Sequence, residues 1–132
     1  MDPTHATRRL AIYARSATAQ GADAAIERQL DRARDAIAHA GGDPTAARVY
    51  TDHNASGISC DRPGLVALIE AIEAGELDAV ILERAARLSR DLHAFARIAR
   101  RVDGADVALV CLDGSARVAM PVRKALERGG VW

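Results

Sequence analysis

Aromatic residues are scarce in this sequence, at 3% of 132 residues, although 49% of the chain is hydrophobic. Much of the apolar content is alanine, so we expect a thin core covered by helices and few aromatic surfaces on which bases could stack. A chain of this length and hydrophobic content can bury one core. The composition therefore predicts a single compact domain.

Cysteine, net charge and long apolar runs are also low or absent. Neither Cys60 nor Cys111 has a neighbouring His or Cys at metal-ligand spacing, so we expect no disulfide framework, no metal and no cofactor. Eighteen basic residues balance eighteen acidic ones, so no overall field draws the chain to nucleic acid or to a membrane. No run approaches the roughly 18 apolar residues of a membrane span. We expect no signal peptide, no membrane partner and a cytoplasmic location.

The apolar pattern alternates between short strands and helices. It predicts strands at 10–15, 48–52, 78–83 and 106–112, and helices at 23–40, 63–75 and 91–104. Asp23 is the expected cap of the first helix, and residues 84–90 are expected to form a loop. Such alternation is typical of an α/β fold. We predict three layers, with a mainly parallel sheet of four to five strands and helices on both faces.

The domain is expected to cover residues 10–113. Residues 1–9 are polar and are expected to form a flexible tail. Residues 114–132 are expected to form a short tail or a helix near 121–128, without a DNA-reading domain.

Four arginines fall where the predicted strands end. Arg15 ends the first strand, Arg62 closes the loop after the second, and Arg87 and Arg90 precede the last helix. Ligands of open parallel sheets bind outside the carboxyl ends of the strands. Each arginine alone could be a solvated surface charge, but guanidinium groups gathered at one edge suit a phosphate or phosphodiester. Tyr13 could contact that phosphate or could simply pack with its hydroxyl satisfied.

Four segments of the chain carry a resemblance to a known family. They are Tyr13 to Gln20 (YARSATAQ), Ile26 to Gln29 (IERQ), Thr51 to Leu65, and Arg87 to Asp91 (RLSRD). In this order they resemble the N-terminal catalytic domain of serine recombinases of the resolvase and invertase type.

The resemblance implies a chemistry and a set of site residues. In that family a serine two residues after the first arginine attacks a DNA phosphate and forms a phosphoseryl link, while arginines bind the phosphate. By position, the phosphate-binding arginines would be Arg15, Arg62, Arg87 and Arg90. Gln29 and Ser56 would be the supporting polar groups.

Two positions depart from the family pattern. Ala17 occupies the place of the nucleophile, and Ser16 is displaced from it by one residue. If the strand continues this far, alternation puts Ser16 on the face opposite Tyr13 and Arg15. Ala86 stands where the family has an aspartate, which is expected to help proton transfer or to orient an arginine.

The leading interpretation is a recombinase catalytic domain that keeps the phosphodiester pocket but is impaired or inactive in strand cleavage. Its expected partner is DNA, bound weakly or with the help of another protein. A homo-oligomer or pairing with an active recombinase is also expected.

Two alternatives remain open. One is an active recombinase, either using Ser16 or having had its native serine changed to Ala17. The other is a repurposed protein without DNA, either an interaction module or an enzyme acting on a phosphorylated small molecule.

Overall fold

The computed structural model describes residues 9–16, 21–53, 62–89 and 92–113, except for the side chains of Ala22, Leu92 and Phe95. Strands and helices alternate along the chain, as predicted. The elements are β1 (Leu10–Arg15), α1 (Ala22–His39), a 3-10 turn (Pro44–Ala46), β2 (Arg48–Asp52), α2 (Pro63–Glu73), β3 (Ala79–Leu82), α3 (Ala85–Leu88), α4 (Leu92–Gly104) and β4 (Ala108–Cys111).

The described strands form one parallel sheet in the order β2-β1-β3-β4. Strand β1 stays paired with β2 as far as Arg15, which lies opposite Asp52. Its pairing with β3 stops at Ile12, opposite Ile81. The two central strands therefore separate toward the carboxyl edge of the sheet, where α3 follows β3.

Two apolar cores lie on opposite faces of the sheet, because successive side chains of a strand point to opposite sides. One face of β1 packs against α1, through Leu10, Ile12, Ala14, Ile26, Leu30, Ala33 and Ile37. The other face packs against α2 and α4, through Ala11, Tyr13, Leu65, Leu68, Ile98 and Val102. The predicted three-layer fold with helices on both faces is confirmed.

The start of α1 differs from the prediction. Gly21, at φ 73, is the N-cap, and Asp23 lies in the first turn. Glycine adopts this left-handed conformation without a steric penalty, and an acidic side chain in the first turn still favours the helix dipole.

The segment after β3 was expected to be a loop, and this expectation was wrong for residues 85–88. These residues, Ala-Ala-Arg-Leu, are strong helix formers and make the single turn of α3. The predicted strand at 106–112 is also too long, because Asp106 has a φ of 59, outside the extended region.

Three other predictions fall outside the described residues: Asp91 as a cap, the helix near 121–128 and the tail at 1–9, of which only Arg9 is described. Within the described ranges, no helix is both long enough and apolar enough to cross a membrane.

Candidate functional site

Three of the four predicted arginines come together at the carboxyl edge of the sheet. Arg15 donates from Nε to the Arg87 carbonyl at 2.9 Å and from Nη2 to the Ala86 carbonyl at 2.7 Å. Arg62 donates from Nη1 to the Arg87 carbonyl at 3.2 Å and from Nη2 to the Leu88 carbonyl. Arg87 lies within α3 itself, and its Nη1 is 3.4 Å from the Arg15 carbonyl oxygen. Two guanidinium groups therefore bind the carbonyls of this helical turn, and the third extends from the turn.

The three arginines differ sharply in exposure. Arg15 is 2% exposed and Arg62 is 1% exposed, whereas the Arg87 side chain is 21% exposed. A buried guanidinium needs hydrogen-bond acceptors, and the last carbonyls of a short helix need donors, so each satisfies the other. Arg62 Nε has no hydrogen-bond partner in the part of the chain that the structure describes. Of these three cations, Arg87 is the one best placed to meet a ligand from solvent.

Tyr13 and Asp52 form a buried hub beneath these arginines. The Tyr13 hydroxyl donates to Asp52 Oδ2 at 2.7 Å. Burial raises the pKa of the Tyr13 hydroxyl above its ordinary value, and the hydrogen bond to Asp52 adds to this shift. The Arg62 guanidinium carbon lies 5.8 Å from the centroid of the Tyr13 ring, within cation–π range. Tyr13 therefore packs with a satisfied hydroxyl and supports Arg62.

Asp52 also closes the N-terminus of α2. Its Oδ1 accepts from Gly64 N at 2.8 Å, and its Oδ2 accepts from Leu65 N at 2.9 Å. These N–H groups belong to the first helical turn and have no partner within the helix. The carboxylate of Asp52 thus already occupies the place at the N-terminus of α2 where an anionic ligand could bind. The sequence analysis did not select Asp52, although its place at the end of β2 put it on the same edge as the arginines.

Gln29 holds the end of β1 from α1. Its Oε1 accepts from Arg15 N at 3.1 Å, and its Nε2 donates to the Arg15 carbonyl at 2.9 Å. These main-chain groups lie beyond the point where β3 stops pairing with β1. The side-chain amide takes the place of a neighbouring strand there, so Gln29 fixes the position of Arg15.

Ser16 is buried, at 4% exposure, and its backbone N–H donates to the Asp52 carbonyl at 3.1 Å. The pairing of β1 with β2 therefore continues to Ser16. Alternation then places its side chain on the α1 face with Ala14, opposite the face of Tyr13 and Arg15. The other predicted site residues, Ala17, Ser56 and Arg90, lie outside the described residues.

A carboxylate that the sequence analysis missed lies beside Arg87. Glu83 Oε1 is 3.0 Å from Arg87 Nε, and the Glu83 side chain is 13% exposed. Its position directly after β3, at the edge where the arginines gather, was the signal that could have found it.

The four-stranded parallel sheet with helices on both faces matches the fold of the resolvase-like catalytic domains of serine recombinases. The resolvase N-terminal domain family matches residues 10–128, and the chain belongs to this family. The match extends beyond residue 113, so the boundary predicted there stays a prediction. No curated protein matches the chain significantly.

Several solved structures are similar to this chain. The C-terminal catalytic domain of ISC1926 TnpA, an IS607-like serine recombinase, is 26% identical, with a TM-score of 0.70 over 79% of this chain and 69% of that chain. The N-terminal catalytic domain of TP901-1 integrase is 25% identical, with a TM-score of 0.75 over 91% and 92%. A resolvase family site-specific recombinase from Streptococcus pneumoniae shares the fold at 18% identity, with a TM-score of 0.67 over 91% and 83%.

Proposed function

We propose that this serine recombinase catalytic domain, comprising residues 10–113, binds a DNA phosphodiester but does not cleave the strand. The observation that carries the proposal is the convergence of Arg15, Arg62 and Arg87 on one turn of a chain that has Ala17 at the nucleophile position. Binding needs cations at the strand ends. Cleavage needs an attacking oxygen, which alanine lacks.

The burial of Ser16 supports the inactive reading over an active recombinase that uses this serine. Its backbone is hydrogen-bonded to β2 and its exposure is 4%. To reach a phosphate held by Arg87, the Ser16 hydroxyl would have to leave the α1 face and break this strand pairing.

The exposure of the arginines supports different parts for them in DNA binding. Arg87 would contact a phosphate oxygen directly, because its side chain is the most exposed of the three. Arg15 and Arg62 would hold α3 in place and add to the local positive potential. The chain has no net charge, so this binding is weak or assisted by a partner, either a second copy or an active recombinase.

The direct test is the binding of a labelled DNA duplex at low salt, followed by fluorescence anisotropy. The variant Arg87→Ala should weaken binding severalfold and reduce the salt slope by about one, since one phosphate contact is lost. Arg101→Ala is the matched control, because Arg101 is an exposed arginine paired with Glu73 on the α4 surface. Variants of Arg15 and Arg62 are unsuitable because both side chains are buried.

Denaturing gels of the same mixtures test the second half of the proposal. We expect no covalent protein–DNA adduct. A phosphoseryl adduct mapped to Ser16 would establish an active recombinase and overturn the proposal.

The inward direction of Arg15 and Arg62 favours one rival function, a module or enzyme that does not act on DNA. Both side chains bind main-chain carbonyls and so have a structural role whatever the ligand is. Absence of DNA binding would favour this rival and direct the search to a protein or a phosphorylated metabolite. Binding that ignores Arg87 would refute the role proposed for this arginine.

A further inference from the structure

Glu83 is fixed at the carboxyl edge of the sheet by its backbone. It directly follows β3, and its carbonyl accepts from Asp113 N at 3.1 Å, just beyond the end of β4. The strand pairing therefore holds the Glu83 backbone rigidly next to α3, whose Arg87 lies four residues further along the chain.

The two carboxylate oxygens of Glu83 serve two different arginines. Oε1 accepts from Arg87 through Nε and Nη2, both at 3.0 Å, and Oε2 accepts from Arg32 of α1 at 2.5 Å. Glu83 is 13% exposed, whereas the Arg32 side chain is 64% exposed. The Nε and Nη2 edge of Arg87 is thus turned toward Glu83, while Nη1 points to the Arg15 carbonyl.

We propose that Glu83 is the positioning residue of Arg87 and takes over the orienting role of the carboxylate that is absent at Ala86. The resemblance leads one to expect an aspartate at position 86, and the side chain there carries no charge. The carboxylate instead comes from three residues earlier, at the end of the strand. The DNA-binding part of this inference rests on the proposed function, whereas the orientation of Arg87 does not.

Glu83 orients Arg87 without cancelling the charge of the site. Arg84 Nε also lies 3.9 Å from Glu83 Oε1, so three guanidinium groups surround one carboxylate. An ion pair with low exposure restricts the arginine side chain more than a fully solvated pair does. Arg87 therefore meets a phosphate in a fixed orientation and loses less conformational entropy on binding.

The test compares Glu83→Met, which removes the acceptors at similar length, with the double variant Glu83→Met/Ala86→Asp. Glu73→Met is the control, because Glu73 forms an exposed pair with Arg101. The first readout is the Nε–Hε resonance of Arg87 and its hydrogen-exchange rate in the DNA-free protein. We expect Glu83→Met to shift this resonance and speed its exchange, the added aspartate to reverse both changes, and Glu73→Met to alter neither.

The second readout is DNA affinity by anisotropy. We expect Glu83→Met to weaken binding by about threefold to tenfold, as for a lost hydrogen bond to a charged group, and Ala86→Asp to restore it. Tighter binding of Glu83→Met would overturn the proposal, because it would show that the carboxylate only repels the phosphate. If the aspartate at position 86 restores neither the Arg87 resonance nor the DNA affinity, the proposal that Glu83 takes over the role of a carboxylate at that position is overturned.

The two readouts separate this inference from the proposed function. If no variant binds DNA but the Arg87 resonance responds as expected, the proposed function fails and the positioning role stands. If DNA binding depends on Arg87 but is indifferent to Glu83→Met, the proposed function stands and the positioning role fails. Should Glu83→Met unfold, Glu83→Gln retains one neutral acceptor and is expected to give smaller changes in the same directions.

Discussion

Replacing Asp52 with asparagine tests the hub on which the site is built. Asp52 is 4% exposed and accepts three hydrogen bonds, from the Tyr13 hydroxyl and from the backbone N–H groups of Gly64 and Leu65. The two N–H donors use different carboxylate oxygens. An asparagine side chain has only one oxygen, so its NH2 group must face at least one of these donors.

The cost can be worked out from these contacts. One buried donor left without an acceptor costs about 1–3 kcal/mol, and losing a negative charge at a helix N-terminus costs about 0.3–1 kcal/mol. The neutral amide is easier to bury than a carboxylate, which offsets part of the loss. We therefore expect Asp52→Asn to lower the free energy of unfolding by about 2–3 kcal/mol. For a domain of this size that corresponds to a fall in Tm of about 6–12 °C.

Urea unfolding followed by circular dichroism measures this change, with the midpoint compared at constant slope. Asp43→Asn is the control, because Asp43 caps an exposed turn through one oxygen, which asparagine retains, and should leave the midpoint unchanged. A loss below about 1 kcal/mol in Asp52→Asn would refute the reasoning, since it would mean that the N–H groups of α2 find other acceptors.

Two further predictions concern residues around the same hub. The pKa of Tyr13 is raised on folding, chiefly by burial, so the contribution of Tyr13 to stability is full below about pH 10 and is lost as the pH rises above that. Tyr13→Phe should reduce this loss of stability at alkaline pH, measured by unfolding at a series of pH values. A pH profile identical to that of the unsubstituted protein would contradict the prediction. Gly64→Ala would place a Cβ 2.8 Å from the Thr51 carbonyl carbon and 2.9 Å from Asp52 Oδ2, so this variant should be destabilised by about 1–3 kcal/mol in thermal unfolding. The control is Gly104→Ala, whose Cβ meets no atom within 4 Å and which should not be destabilised. Equal Tm values for the two variants would be evidence against the close approach at Gly64.

The sequence was sufficient to predict the layers of this fold because the apolar periods are regular. Strand β1 was predicted with its observed bounds, and the apolar face of α1, from Ile26 to Ile37, is buried against the sheet. The turn of α3 was missed because four residues are too few to show a helical periodicity of apolar side chains. Its carbonyls are bound by Arg15 and Arg62, which are distant in sequence and which a local pattern does not reveal.

The membership of the site was easier to predict than its internal contacts. Position at the strand ends was enough to select Arg15, Arg62 and Arg87, because parallel strands share a carboxyl edge. The direction of their guanidinium groups was not predictable, since it depends on carbonyls exposed by a helical turn that the pattern did not reveal. Asp52 and Glu83 were missed for a related reason: an acidic residue at a strand end gives no sign of which donors it will meet.

The hydrogen bonds from Arg15 and Arg62 to α3 determine how this domain tolerates mutation there. Arg15 and Arg62 recognise carbonyl oxygens of residues 86–88, and every amino acid supplies the same carbonyl. The side chain at position 86 can therefore drift without loosening the turn or exposing the arginines. Folding of this turn therefore does not require a carboxylate at position 86.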